Sequence, residues 1–290
     1  MYLLTAAIIT RVLVNPLSNV FQKKLTGKGM EALWVNFVSF FLLSLLCIIP
    51  AMSVEWGNYD QRFWIICTIS GIFCALGNGF LVKALSKGDL SIMGPINSYK
   101  SIVSIIFGIF LLGEIPGIAG LSGVILIIIG SYFVLDTLPE RFSWKLFRRK
   151  EIQYRFWAMI FTAIEAIFIK KVIQLSDVTT SFIVWCWFGA VFSLVLLLLF
   201  KIDINKHLEK TNKSIFGIFL LQIICVGLMQ YTTNYVFDNM DVSYALALFQ
   251  LSTIVTVILG YLAFNEQKIA MKLLGSVVMI GGSVIILLFG

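Results

Sequence analysis

Apolar stretches long enough to cross a lipid bilayer account for nearly the whole chain. A helix needs about 20 apolar residues to span the hydrocarbon core, and ten such stretches follow one another. They occupy residues 2–21, 31–51, 63–82, 91–112, 117–135, 155–173, 178–200, 214–236, 243–264 and 269–289. With 59% hydrophobic and 13% charged residues, the chain has too little polar surface for a water-soluble enzyme. The sequence therefore predicts an all-α membrane protein of ten transmembrane helices, without enzymatic activity.

The two halves of the chain resemble each other, which predicts an internal repeat. One offset of 152 residues superposes identical residues: Asp89 on Asp241, Gly108 on Gly260, Glu114 on Glu266, Gly123 on Gly275 and Gly130 on Gly282. Near the start of each half, Lys23 falls on Lys170 at an offset of 147. The predicted units are a first repeat at 1–135, a charged connecting loop at 136–154 and a second repeat at 155–290.

Each repeat holds five predicted helices. Because five is odd, the two copies must lie in the membrane in opposite orientations. Inverted repeats of this kind enclose the substrate site of many secondary transporters. We therefore expect two inverted five-helix repeats around a central cavity.

Lysine and arginine are unevenly distributed between the two sides. The loops after the odd-numbered spans, with the adjoining span ends, carry 17 of these residues and the other loops carry 3. Basic loops stay in the cytoplasm. We expect a multi-pass cell-membrane protein, in a bacterial inner membrane, with both termini outside the cytoplasm. The same distribution explains the net charge of +7 without a nucleic-acid partner.

Three charged side chains lie deep within predicted spans, where lipid disfavours them. They are Arg11, Lys100 and Glu165. Other polar residues share their helix faces, and several recur at equivalent positions of the second repeat. On the first span, Asn15, Ser18 and Gln22 follow Arg11 at steps of 4, 3 and 4 residues and lie on its face. We predict that the substrate-binding residues are Arg11, Asn15, Asn78, Asn97, Lys100, Ser104, Glu165, Gln230 and Thr256. Two structural alternatives are an ion pair between Arg11 and Glu165 and hydrogen bonds between helices.

The charges of the predicted cavity suggest its ligand. Arg11 and Lys100 outnumber Glu165, and a guanidinium group binds carboxylate or phosphate through two parallel hydrogen bonds. Glu165 is the candidate to accept a substrate amine or to carry a coupled proton. Pro16 and Pro95 lie within spans and are candidate hinges.

Four further residues have predicted structural roles. For Trp185 and Trp187 we favour lipid contact over stacking on a substrate. Glu114 and Glu266 end their helices and are expected to anchor loops.

Cofactor and metal chemistry is not expected. His207 is the single histidine and lies in a polar loop. The five cysteines lie within apolar stretches, and we interpret them as small buried side chains.

Several motifs are similar to those of one transporter family. Leu111-Leu112-Gly113-Glu114 followed by Gly123 and Gly130-Ser131 resembles the fourth and fifth helices of EamA-type transporters, of the drug/metabolite transporter superfamily. Ala263-Phe264-Asn265-Glu266 followed by Gly275 and Gly281-Gly282 resembles the same pattern in the second repeat. The resemblance implies ten helices around a central cavity, and export or exchange of small metabolites. Many members keep both termini in the cytoplasm, whereas the charge distribution here predicts the opposite.

These observations favour a secondary transporter, an exporter or exchanger, that moves a small polar metabolite by alternating access. We expect an anionic or zwitterionic substrate such as an amino acid. The alternatives are a flippase for a lipid-linked anionic headgroup and a multidrug exporter. A second copy of the chain is a candidate partner besides the substrate and the bilayer.

Overall fold

A computed structural model describes residues 2–100, 102–103, 117–138 and 147–289. Within these ranges the chain folds into helices joined by short turns. The α-helices are α1 (Tyr2–Gly27), α2 (Ala32–Leu46), α3 (Ile48–Ala51), α4 (Gln61–Lys87), α5 (Leu90–Met93), α6 (Ile118–Leu135), α7 (Lys150–Leu175), α8 (Val178–Leu199), α9 (Ile204–Lys210), α10 (Lys213–Asn239), α11 (Val242–Phe249), α12 (Ser252–Phe264) and α13 (Ile269–Phe289). Short 3₁₀ segments cover Trp56–Asn58 and Pro95–Tyr99.

Seven helical segments in the described part of the chain are long and apolar enough to cross a membrane. They are α1, α4, α6, α8, α10, α13 and the stretch Tyr244–Phe264, which includes most of α11 and all of α12. Two further helices are not among the seven. Helix α2 has 15 residues and is followed at Cys47 by α3, and α7 has 26 residues but carries more charged side chains than the seven segments. Ten of the 22 residues of the predicted fourth span, 101 and 104–112, lie outside the described part of the chain. The protein is thus a multi-pass, all-helical membrane protein.

Polar residues fix where several long helices begin, because the first backbone N–H groups of a helix lack partners within it. Asp60 accepts a hydrogen bond from the backbone N–H of Phe63 at 2.9 Å, and Asn212 accepts one from Ile215 at 2.9 Å. The predicted spans miss the start of one helix: α7 begins at Lys150, five residues before residue 155, and no side chain caps it. Arg155 therefore lies inside a helix and is buried.

Helices α6 and α13 pack at glycine–glycine contacts. A Cβ atom built at Gly123 would lie 2.6 Å from the carbonyl oxygen of Gly282, and one at Gly130 would lie 2.6 Å from that of Gly275. The contact order reverses along the two helices, so they run antiparallel. Only glycine allows backbones to approach this closely.

The other long helices also pack mainly across the two halves of the chain. Helix α1 packs along α10, α4 along α7, and α2 along α8. The apolar core between them includes Phe40 and Trp185, whose rings are 4.7 Å apart. A polar space remains where α1, α4, α7, α10 and α12 converge.

Two of the predicted spans are interrupted beside this space. The ninth breaks at Gln250 and Leu251, between α11 and α12, and the fourth breaks at Gly94, immediately before Pro95. A Cβ atom at Gly94 would lie 2.7 Å from the Thr256 methyl group, so a glycine is needed for this approach. Pro16 behaves differently, because α1 continues through it without a break.

Candidate functional site

The polar space is a central cavity of about 1030 Å³, open solvent at its mouth included. It brings together every described residue of the predicted binding site: Arg11, Asn15, Asn78, Asn97, Lys100, Glu165, Gln230 and Thr256. Ser104, the ninth predicted residue, lies outside the described part of the chain. The polar face of α1 was predicted from its helical spacing, and its four members line the cavity together: Arg11, Asn15, Ser18 and Gln22.

Arg11 is held by neutral groups. Its Nε donates to Thr233 Oγ1 at 2.7 Å, and its guanidinium carbon lies 4.7 Å above the centre of the Phe249 ring. Its Nη1 is buried and has no hydrogen-bond partner among the described residues. An unpaired buried donor is costly, and Arg11 Nη1 keeps the capacity to donate a hydrogen bond.

Arg155 is a cavity residue that the sequence analysis missed. Its Nε donates to the carbonyl oxygen of Met93 at 2.6 Å, and its Nη2 donates to Asn97 Oδ1 at 3.0 Å. The predicted sixth span begins at this residue, so the sequence analysis placed Arg155 at the helix end beside the charged connecting loop and not in the cavity. One sequence feature could have indicated this role: Arg155 lies seven residues before Thr162, which lines the cavity, and so shares its helix face.

Glu165 is also buried, 7% exposed, and its Oε1 accepts a hydrogen bond from Trp185 Nε1 at 2.8 Å. The alternative of an ion pair between Arg11 and Glu165 is not found: each side chain bonds a different, neutral partner. Trp185 is 3% exposed and lines the cavity, so the expectation that it contacts lipid is wrong. Trp187 is half-buried and donates to the Ser44 carbonyl oxygen at 3.3 Å.

Several of the predicted polar residues bond within their own helices. Asn78 donates to the Cys74 carbonyl oxygen at 3.1 Å, Gln230 donates to Asn234 at 2.8 Å, and Thr256 donates to the Ser252 carbonyl oxygen at 2.8 Å. Three of the predicted residues do bond across helices: Arg11 to Thr233, Asn97 to Arg155 and Glu165 to Trp185. Hydrogen bonds between helices therefore do not account for all of these polar residues, and hydrogen-bonding groups remain available at the cavity wall.

A second group of charges lies at one end of the helices. We call Lys23, Asp89, Ser91, Glu266 and Lys272 the Glu266 cluster. Glu266 Oε1 pairs with Lys23 Nζ at 2.9 Å and accepts the backbone N–H of Leu90 at 2.7 Å. Its Oε2 accepts the backbone N–H of Ser91 at 2.9 Å and the Ser91 hydroxyl.

The cations of the Glu266 cluster also have partners within the chain. Lys272 Nζ donates to Ser91 Oγ at 2.7 Å and lies 4.0 Å from Glu266 and 3.9 Å from Asp89. Burial opposes ionisation of Glu266, but the Ser91 hydroxyl and the charge of Lys23 outweigh it and hold its pKa below the ordinary value. The cluster ties α1, the α4–α5 turn and the start of α13 together, which confirms the predicted loop-anchoring role of Glu266.

The five cysteines are buried and form no disulfide, which confirms their interpretation as small core side chains. Among the residues that the structure describes, no three potential ligands come together to hold a metal ion.

A polar cavity between membrane-crossing helices is the architecture of a membrane transporter. The sequence profile of the EamA-like transporter family matches residues 5–136 and 150–288. The chain belongs to this family, and the domain is present twice.

Comparisons with individual proteins add information about the fold. A solved crystal structure of another protein superposes with a TM-score of 0.67 at 15% sequence identity, and the match covers 97% of this chain and 96% of that one. At this identity the likeness concerns the fold alone. No protein with a curated description matches the sequence.

Proposed function

We propose that this protein is a secondary transporter that moves a small anionic or zwitterionic metabolite through the central cavity by alternating access. The observation that carries the proposal is the set of partners of Arg11 and Arg155. Both guanidinium groups bond only neutral oxygens of the described residues. Isolated positive charge in a poorly solvated cavity favours an anion.

The net charge of the cavity strengthens this argument. Its described lining contains three cations, Arg11, Lys100 and Arg155, and one carboxylate, Glu165. The sequence alone indicated an excess of one positive charge, and Arg155 raises it to two. A carboxylate or phosphate group would be bound between Arg11 and Arg155. Glu165 would accept the amine of a zwitterion or carry a coupled proton.

Alternating access requires two equivalent halves in opposite orientations, and two observations support this arrangement. Helices α6 and α13 are equivalent at the offset of 152 residues and run antiparallel through their matched glycines. In addition, α4 corresponds to α10 and α1 corresponds to α7 in the two halves. The packing of α4 against α7 therefore has its counterpart in the packing of α10 against α1.

Two lysines at equivalent positions of the two halves form hydrogen bonds at opposite ends of the molecule. Lys23 donates to the Gly88 carbonyl oxygen at 2.9 Å, and its counterpart Lys170 donates to the Met240 carbonyl oxygen at 3.5 Å. Each acceptor is the residue that follows a long helix, α4 or α10. An exchange of conformation between the halves would open one end as it closes the other.

We also propose that the protein lies in a bacterial inner membrane with both termini outside the cytoplasm; the distribution of basic loops supports this orientation. Arg155 was counted with the span end that adjoins a basic loop, and the bias stays strong when this cavity residue is left out. Reporter fusions at the two termini test the orientation: activity of a cytoplasm-specific reporter at either end would contradict it.

The transport proposal is tested with purified protein and a panel of carboxylates, organic phosphates, amino acids and uncharged compounds. Ligands raise the unfolding temperature by mass action, and uptake into proteoliposomes identifies the substrates among them. Arg11→Gln and Arg155→Gln should weaken binding of the anionic ligand about 30-fold or more, because a buried charge pair is worth about 2–5 kcal/mol. Arg62→Gln is the matched control, since Arg62 is exposed at the start of α4.

The outcomes separate the proposal from its alternatives. Anionic ligands lost in both cavity variants and kept in Arg62→Gln support it. Uptake of uncharged compounds that is unaffected by either variant overturns it in favour of a multidrug exporter. Binding confined to lipid phosphates overturns it in favour of a flippase.

A further inference from the structure

A second, basic pocket lies apart from the central cavity, at the end of the molecule where α1, α4 and α9 meet the beginning of α7. It encloses about 1030 Å³, open solvent included. Its titratable lining residues are Lys83, Lys87, Lys206, Lys210, His207 and Glu31, with Tyr154 on the wall. None of these residues takes part in the proposed transport site.

The lysines of this pocket carry charge that the described residues do not neutralise. Glu31 is the single described carboxylate in the lining, and its Oε2 is occupied by the backbone N–H of Leu33 at 2.5 Å, where it caps α2. None of the four lysines forms an ion pair with a residue that the structure describes. The pocket therefore holds an excess of positive charge.

Aromatic rings hold two of these ammonium groups in place without cancelling their charge. Lys83 Nζ lies 4.4 Å from the centre of the Phe200 ring, and Lys87 Nζ lies 5.9 Å from that of Tyr154. Cation–π contacts of this kind orient an ammonium group and leave its N–H donors available to a ligand.

His207 provides an independent indication of a ligand. The side chain is 6% exposed, its ring stacks on Trp34 at 5.9 Å, and its Nδ1 has no hydrogen-bond partner among the described residues. Burial lowers the pKa of His207, so the ring is neutral at pH 7 and contributes a hydrogen bond rather than a charge. A buried ring nitrogen without a partner, in a pocket lined by lysines, matches a ligand that is both anionic and a hydrogen-bonding oxygen group.

At the rim of the pocket, a glycine with a positive φ lies close to a lysine, and exposed apolar side chains lie nearby. Gly29 has a φ of +83°, and Lys210 Nζ would lie 3.3 Å from a Cβ atom at this position. Phe200, whose ring contacts Lys83, and Leu208, the neighbour of His207 in α9, are 57% and 56% exposed. Apolar side chains next to clustered lysines are typical of the boundary between lipid tails and headgroups.

We propose that this basic pocket binds a phosphate-bearing anion, the chemistry that an anionic lipid headgroup and a free phosphate share. The lysine ammonium groups supply the charge and His207 supplies one directed hydrogen bond to a phosphate oxygen. The site is independent of the transported substrate.

The test uses the purified full-length protein in a neutral detergent and two probes. The first is sodium phosphate, compared with sodium chloride at equal ionic strength and read as the unfolding temperature. The second is phosphatidylglycerol, compared with phosphatidylcholine and read as lipid retained in native mass spectrometry. The pocket variant is Lys83→Gln with Lys206→Gln and Lys210→Gln. The matched control removes the same charge from exposed lysines outside the pocket: Lys24→Gln, Lys213→Gln and Lys268→Gln.

The wild type and the control should bind at least one probe, and the pocket variant should bind it at least 10-fold more weakly. His207→Phe keeps the stacking on Trp34 and removes the ring nitrogens, so it should also weaken binding and serves if the triple variant does not fold. Loss of phosphatidylglycerol alone identifies a lipid headgroup as the ligand, and loss of both probes identifies any accessible phosphate. Equal loss in the pocket and control variants, or no binding of either probe by the wild type, overturns the proposal.

Discussion

The central cavity and the Glu266 cluster both remove charged side chains from water, but they treat the charges in opposite ways. In the Glu266 cluster each carboxylate oxygen of Glu266 accepts at least two hydrogen bonds, and lysines lie beside it. In the cavity, Arg11 and Arg155 bond hydroxyl, carbonyl and amide oxygens, and no described carboxylate pairs with either. A charge whose partners are all supplied by the chain stabilises the fold. A charge that the chain leaves with neutral partners is suited to a ligand.

The largest expected effect on stability is that of Glu266→Gln. The change keeps the shape of the side chain but leaves Lys23 without a carboxylate and the buried Lys272 with only the half-exposed Asp89. Breaking a buried pair in this way costs on the order of 3 kcal/mol. Unfolding of the purified protein in mixed micelles should show this loss, whereas Arg11→Gln should leave the free energy of unfolding nearly unchanged.

Gln267→Ala is the control for that experiment, since Gln267 is the exposed neighbour of Glu266. Equal destabilisation by Glu266→Gln and Arg11→Gln would remove the distinction between the two regions.

A smaller effect is expected from Gly260→Ala, which tests how tightly the Glu266 carboxylate is fixed. A Cβ atom at Gly260 would lie 2.7 Å from Glu266 Oε2 and 3.0 Å from the Ser91 backbone nitrogen. Because hydrogen bonds hold that carboxylate, it cannot move aside, and we expect a loss of about 1–3 kcal/mol.

Gly217→Ala is the matched substitution for Gly260→Ala. It also lies within a helix, but nothing approaches a Cβ atom there within 4 Å. This variant should be as stable as the wild type or more stable by up to about 1 kcal/mol. If the two alanines behave alike, the carboxylate is more mobile than its hydrogen bonds indicate.

The smallest effect is a pH dependence of stability that belongs to the Glu266 cluster. The pKa of Glu266 is lower in the folded protein than its ordinary value of 4.5, so its contribution is fully present above pH 4.5. The contribution is lost as the pH falls below that value, through the folded pKa. The difference in unfolding free energy between the wild type and Glu266→Gln should therefore be constant near neutral pH and shrink in acid.

Asp89→Asn provides the comparison for the pH series. The Asp89 carboxylate is half exposed and 3.9 Å from Lys272, so it contributes about 1 kcal/mol or less. The acid loss should persist in this variant. If stability no longer falls in acid in Asp89→Asn but still falls in Glu266→Gln, the titrating group is Asp89 and not Glu266.

The cavity itself could be predicted from the sequence to a large extent, because a helix displays its polar residues at a fixed spacing. The steps from Arg11 to Asn15, Ser18 and Gln22 place all four on one face, and that face lines the cavity. The internal repeat then indicated which other spans should present their polar residues to the same place.

Other site residues could not be predicted, because their roles depend on partners far away in the sequence. Arg155 lies 62 residues from Met93, and Glu266 lies 175 residues from Ser91. Trp185 was assigned to lipid because an indole in an apolar span contacts lipid or protein equally well by sequence. Its hydrogen bond to Glu165 decides between the two.

The sequence by itself determined the membrane-spanning helices, the duplication and the faces that carry polar groups, since these follow from local periodicity and from the cost of polar groups in lipid. The tertiary structure decided which buried charges are matched and which are left with neutral partners. That distinction depends on which helix faces meet. Close contacts set it, such as those between the glycines of α6 and α13, and helical periodicity does not specify them.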